Sequence, residues 1–184
     1  NERDTALVFS GGGARGAYQV GAWEALQKTH LTDKICAVYG TAVGAINGAA
    51  FVQGDLQLAR EIWEQLNYEN IFDELSSDEV SRLSRKHYLS LARRIVTDKG
   101  LNVEPLKELL RSNLDEEKIR KSPLDFGVVV YNLSKKAPEY LRKDQIPEGQ
   151  LIEYIIASAT FPLFQPHRIA NSIFIDGGVT DNRP

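Results

Sequence analysis

The chain has 184 residues, 42% of them hydrophobic and 26% charged, which is the balance of one ordinary folded domain and excludes a disordered, collagen-like or membrane-spanning polypeptide. Lys and Arg number 22 against 25 Asp and Glu, a net charge of −3 that gives no general attraction for nucleic acid. The single cysteine, Cys36, cannot form an internal disulfide, and its apolar neighbours predict a buried thiol in a reduced, cytoplasmic setting; with three histidines in all, a zinc cluster is not expected.

Thr5 to Ser10 is a short apolar run that predicts a strand, followed by the glycine cluster Gly11-Gly12-Gly13-Ala14-Arg15-Gly16 and a helical pattern from Ala17 to Leu26. Lys34 to Tyr39 predicts a second strand, Gly40-Thr41-Ala42-Val43-Gly44 a second turn, and Ala45 to Gln53 a small-residue helix closed by Gly54. Strand, glycine turn and helix thus occur twice in order. That alternation predicts an α/β fold in three layers, with a central, mainly parallel sheet flanked by helices.

Asp55 to Leu66 is amphipathic, and 78–99 is helical in pattern with Arg82, Arg85, Lys86, Arg93, Arg94 and Lys99 at polar positions. Those charges read as a solvated face or, alternatively, as a surface that meets anionic lipid headgroups peripherally. Helical turns follow over Val103 to Leu114 and Glu116 to Lys121. Phe126 to Leu133 is the strongest strand pattern, and Lys135 to Pro138 predicts a turn into a hairpin partner at Glu139 to Arg142. Leu151 to Ser158 predicts an apolar helix stopped near Pro162, and Ile169 to Ile175 a tight hairpin that delivers Asp176-Gly177-Gly178. The chain opens on Asn1 and contains no Met, so Asn1 is not expected to be a native start. It closes at Pro184, directly after a turn-rich motif, and the expectation is a single domain over 1–184 that lacks its C-terminal part.

The first glycine cluster satisfies G-x-G-x-x-G between a strand and a helix, as a dinucleotide site would. A ribose-binding acid should then end the second strand, but that strand ends Val38-Tyr39-Gly40 and Asp33 lies at its opposite end. No Gly-Lys-Ser/Thr follows, so a phosphate-binding loop of that type is excluded as well. The remaining capacity is general: consecutive glycines let backbone N–H groups approach a ligand closely, and with the following helix N-terminus they stabilise developing negative charge, as an oxyanion hole requires. The plainer alternative is a turn that packs strand against helix, for which four glycines in six residues are more than needed.

The second turn has the glycines and the strand-to-helix position of a nucleophile elbow, G-x-S-x-G, with alanine at its centre. Ala42 has no Oγ and cannot form an acyl intermediate. Taken with Ala157-Ser158-Ala159-Thr160-Phe161-Pro162 and with Asp176-Gly177-Gly178 before Asn182 and Pro184, these motifs in this order make the chain resemble the patatin-like phospholipase family. The resemblance spans nearly the whole chain and implies a lipid acyl hydrolase of the phospholipase A, lysophospholipase or carboxylesterase type. It implies a Ser–Asp dyad with the nucleophile at position 42 and Asp176 as general base, and an oxyanion hole from Gly11, Gly12 and Gly13. Arg15 and Gly16 would support that loop, Gly40 and Gly44 the elbow, and Gly177 and Gly178 the turn beside the acid. The scheme calls for no metal or cofactor.

Position 42 is the departure from the family pattern. The resemblance implies serine there, so the chain is expected to be inactive, an engineered Ser-to-Ala change being the account preferred over a natural pseudoenzyme that holds lipid. A carboxylate can serve as the base without histidine if partial burial raises its pKa. His30, His87 and His167 are expected to be structural or solvent-facing, and no histidine follows the acid as the α/β-hydrolase order requires. Ser158 has no elbow around it and reads as structural rather than as a substitute nucleophile, and an isolated Asp-Gly-Gly would read as a turn aspartate.

Overall fold

The computed structural model describes residues 3–12, 15–65, 104–159, 167–170 and 172–176, with backbone alone at 105, 167–168 and 173–176. In chain order the elements are β1 (Thr5–Phe9), α1 (Gly16–Gln27), β2 (Ile35–Thr41), α2 (Val43–Gln53), α3 (Leu56–Gln65), α4 (Glu104–Asn113), α5 (Glu116–Lys121), β3 (Asp125–Asn132), β4 (Ala137–Arg142), α6 (Leu151–Ala159), β5 (His167–Ile169) and β6 (Ser172–Asp176). The α/β class and the helix-flanked sheet expected from the alternation are present. Its parallel part is β1–β2–β3, and β4, β6 and β5 extend it by antiparallel pairings.

The β2 strand is the centre of the parallel part and is buried over most of its length, as a run of Ile, Ala and Val with neighbours on both edges must be. The α2 helix packs on β1, β2 and β3, and every residue from Gly44 to Val52 is buried. Such a helix has no polar stripe to read from sequence, and its small residues let it lie close on the sheet. A Cβ on Gly48 would meet the Phe126, Val38 and Phe9 side chains at 3.2 to 3.7 Å. Gly54 ends α2 at φ 79°, where the Asp55 N–H returns to the Ala50 carbonyl. The Asp55 carboxylate then accepts from the Leu58 N–H and starts α3. Around α2 the core gathers Trp23 from α1, Ile62 from α3, Leu110 from α4, Ile119 from α5 and Ile155 from α6.

Three expectations are corrected. Cys36 is half-buried rather than buried, with its thiol 3.5 Å from the Thr5 carbonyl at the β1 side of β2. Ala137 and Pro138 belong to β4 instead of the preceding turn; β4 pairs only with β3 among the described strands, and an edge strand tolerates proline. The final hairpin begins at His167, with its turn at Ala170. The basic stretch 82–99 lies outside the described residues. No helix among the described residues is long and apolar enough to cross a membrane.

Candidate active site

Phe9 is in register with Gly40 across the parallel β1–β2 pair, so the glycine loop after β1 and the turn after β2 leave the sheet at the same end. Ligand sites of open α/β sheets form at these carboxyl ends. The two turns are in contact. A Cβ on Gly44 would lie 2.1 Å from the Phe9 carbonyl oxygen, and one on Gly40 would lie 2.4 Å from the Gly44 oxygen. Both glycines are therefore required by backbone crowding.

Between them, Ala42 has φ 56° and ψ −130°. This is a positive φ in a residue that carries a Cβ, and nothing about alanine favours it. The backbone turns sharply there from β2 into α2, and the Ala45 N–H is 2.9 Å from the Ala42 carbonyl. The Ala42 N–H donates 3.0 Å to Ser158 Oγ on α6, and that hydroxyl donates 2.6 Å to the Val129 carbonyl of β3. Thr41 Oγ1, one residue earlier, is buried without a hydrogen-bond partner among the described residues.

The glycine loop is fastened at both stems. Gln19 Nε2 donates 2.6 Å to the Ser10 carbonyl, and Asn47 Nδ2 donates 2.9 Å to the Gly16 carbonyl and 2.9 Å to Gln19 Oε1. Trp63 Nε1 completes the group by donating 2.8 Å to Asn47 Oδ1. Gly16 must lack a side chain, because a Cβ there would lie 2.2 Å from the Trp63 ring. Gly12 is different: a Cβ would meet Arg15 Cβ at 3.4 Å, an ordinary contact, and the residue is exposed. Packing thus accounts for Gly16 but leaves Gly12 free for close approach by a ligand. The Arg15 N–H bonds the Gly12 carbonyl at 3.1 Å and opens α1, with the residue itself exposed. Gly11 is half-buried.

Register on β3 locates the late aspartate. From Gly127 to Asn132 one edge of β3 is occupied by β4. The other edge carries β2 as far as Thr41 opposite Val129, and then β6, with Asp176 opposite Val130. Because β6 runs against β3, the ends of β2 and β6 approach each other head to head, and the backbone of Asp176 arrives where the chain leaves the sheet at Ala42. Gly13, Gly177 and Gly178, like Thr160 to Pro162, Asn182 and Pro184, lie outside the described residues. His30 is fully exposed beside Asp33, and the backbone of His167 is in β5; His87 lies outside the described residues. Buried Asn47 and half-buried Gln19 and Trp63 were not singled out from sequence as a polar group, because their partners are distant in the chain.

The chain is 28% identical over 181 residues to the probable lipid hydrolase 463L of Invertebrate iridescent virus 6, covering 97% of the chain and 61% of that protein. It is 26% identical over 181 residues to lysophospholipase nte1 of Aspergillus terreus, covering 98% of the chain and 11% of that protein. Among solved structures, VipD from Legionella pneumophila superposes with a TM-score of 0.64 at 20% identity, over 99% of this chain and 47% of VipD. Full-length ExoU, solved with SpcU of the Pseudomonas aeruginosa type III secretion system, gives a TM-score of 0.54 at 17% identity, over 93% of this chain and 41% of the other. These two are likenesses of fold. The family model for patatin-like phospholipases matches residues 7–184, and the chain belongs to the patatin-like phospholipase family.

Proposed function

We propose that the serine-bearing form of this chain is a lipid acyl hydrolase that works through a Ser–Asp dyad, and that Ala42 stands at the nucleophile position and abolishes turnover. The observation that carries this reading is the conformation of Ala42, φ 56° and ψ −130° between two sterically required glycines. A strained backbone at the carboxyl end of a central strand is the means by which an elbow projects its central side chain out of the sheet. The register of Asp176 one position beyond Thr41 along β3 supports the choice of base.

In this scheme Asp176 takes the proton of the hydroxyl at position 42 as Oγ attacks the ester carbonyl. Backbone N–H groups of Gly12 and Gly13, with Gly11 shaping the loop, hold the oxyanion. The C–O bond to the alcohol breaks, Asp176 returns the proton to the leaving oxygen, and an acyl-enzyme remains. Water, deprotonated by the same carboxylate, then releases the fatty acid. The substrate class is an acyl lipid, phospholipid or lysophospholipid, and Arg15 at the loop suits an anionic headgroup. The Ala42 N–H is already bonded to Ser158, so the oxyanion donors are assigned to the glycine loop.

The test is the Ala42→Ser variant assayed on short-chain p-nitrophenyl esters and on long-chain phospholipid. Hydrolysis is expected in Ala42→Ser, and Asp176→Asn in that background should abolish it. By the precedent of serine-protease triad members the loss should be on the order of 10⁴-fold or more. A silent Ala42→Ser protein that still binds acyl lipid would favour the second reading, which rests on Ala42 itself: a pseudoenzyme that retains lipid without cleaving it.

A further inference from the structure

Ser158 belongs to α6, 116 residues from Ala42, yet its hydroxyl is completely buried and engaged at the point where three strands meet. It donates to the Val129 carbonyl and accepts from the Ala42 N–H. Val129 is the last β3 residue paired with β2, and its successor Val130 is the residue paired with Asp176. Past Val129 the edge of β3 passes from β2 to β6, so Ala42, the first residue beyond β2, has no β3 partner. The hydroxyl of Ser158 supplies the acceptor instead. Resting on the hydrolase reading above, we propose that Ser158 is a positioning residue: it fixes the peptide plane entering position 42 and so aims the side chain at that position toward the strand end that carries Asp176.

The physical argument is one of degrees of freedom. A positive-φ turn without a hydrogen bond to its own N–H could rotate the 41–42 peptide toward a less strained conformation, and that rotation would swing the Cβ direction of residue 42. A fully buried hydroxyl with a 2.6 Å bond on one side and a 3.0 Å bond on the other resists the rotation, because either loss leaves a buried polar group unpaired. The same pair of bonds ties the nucleophile position to the carbonyl adjacent to the acid's own register partner. The Ser158 hydroxyl is bonded to two backbone groups in this arrangement, and it acts through residue 42.

Two measurements test this. In the chain as it stands, with Ala42, Ser158→Ala should speed hydrogen exchange of the residue 42 amide at least 10-fold while the β1 and β2 amides before Thr41 keep their protection; the expectation follows from removing the acceptor alone. In the Ala42→Ser background, Ser158→Ala should lower kcat by about 10- to 100-fold with KM within twofold, as misplacement of a reacting group does. Ser158→Thr and Ser158→Val have the same shape and differ in the hydroxyl, so Thr should retain both the protection and kcat and Val should lose both. Equal behaviour of Thr and Val, or loss of protection spread evenly over the sheet, overturns the proposal. If Ala42→Ser is inactive the hydrolase reading fails, and the exchange experiment still decides whether Ser158 holds the turn.

Discussion

At φ 56° and ψ −130°, Ala42 holds a conformation that costs a residue bearing a Cβ about 1–3 kcal/mol. Glycine reaches that region without the steric penalty but gives up about 0.5–1 kcal/mol of chain entropy on folding. Ala42→Gly should therefore stabilise the chain by about 1 kcal/mol, seen as a higher urea midpoint at unchanged slope. A midpoint at or below that of the Ala42 chain would mean that the turn is unstrained and is not an elbow that projects its central side chain. The sequence announced this site through Gly40 and Gly44, because backbone crowding excludes any side chain at either position and so leaves a visible pair. It did not announce the partner of the Ala42 N–H, since a serine in an apolar helix carries no local sign of where its hydroxyl will point.

Short elements were readable wherever local chemistry fixed their ends. Gly54 at positive φ closes α2, and Asp115 caps α5 by accepting from the Lys118 N–H at 3.1 Å, whereas β4, with no such cap, starts two residues earlier than its turn residues predict. What escaped is how elements are joined by side chains that lie far apart in the chain. Lys143 is an example: its ammonium donates to the carbonyl of Ile119 in α5 and to those of Ser122 and Leu124 just past it, and burial pulls its pKa below the usual lysine value. The group under the glycine loop is another, with Trp63 of α3, Asn47 of α2 and Gln19 of α1 reaching the Ser10 and Gly16 carbonyls. Trp63→Phe keeps an aromatic side chain in α3 but removes the indole N–H that donates to Asn47 Oδ1. Leaving that buried oxygen unpaired should destabilise the chain by about 1–3 kcal/mol in chemical denaturation. A loss under about 0.5 kcal/mol, the range of an ordinary surface change, would show that the indole N–H contributes nothing to holding the loop stems.

Across the whole molecule, two early segments and one late one come to one end of the sheet: the loop after Phe9, the turn after Thr41 and the end of β6 at Asp176. The first two were foreseeable, because repeated strand, turn and helix units place successive turns on the same side of a parallel sheet. The third was not. Its arrival depends on β6 entering antiparallel on the edge of β3 that β2 vacates, a pairing that no periodicity encodes. The described chain spans 61% and 11% of the curated relatives it matches, so its own capacity for lipid has to be measured directly. On the function proposed above, the Ala42 chain should bind an acyl substrate and stop there. A soluble short-chain lysophospholipid held at a hundred times its dissociation constant stabilises a one-site protein by about 2.7 kcal/mol. For a domain of this size that corresponds to a rise in Tm of roughly 5–10 °C. The Ala42 chain should show this shift with no free fatty acid released, and Ala42→Ser should release fatty acid from the same lipid. A Tm that stays fixed across lysophospholipids and short acyl esters, in both the Ala42 and the serine-bearing protein, would rule out an acyl-accepting hollow at this end of the sheet.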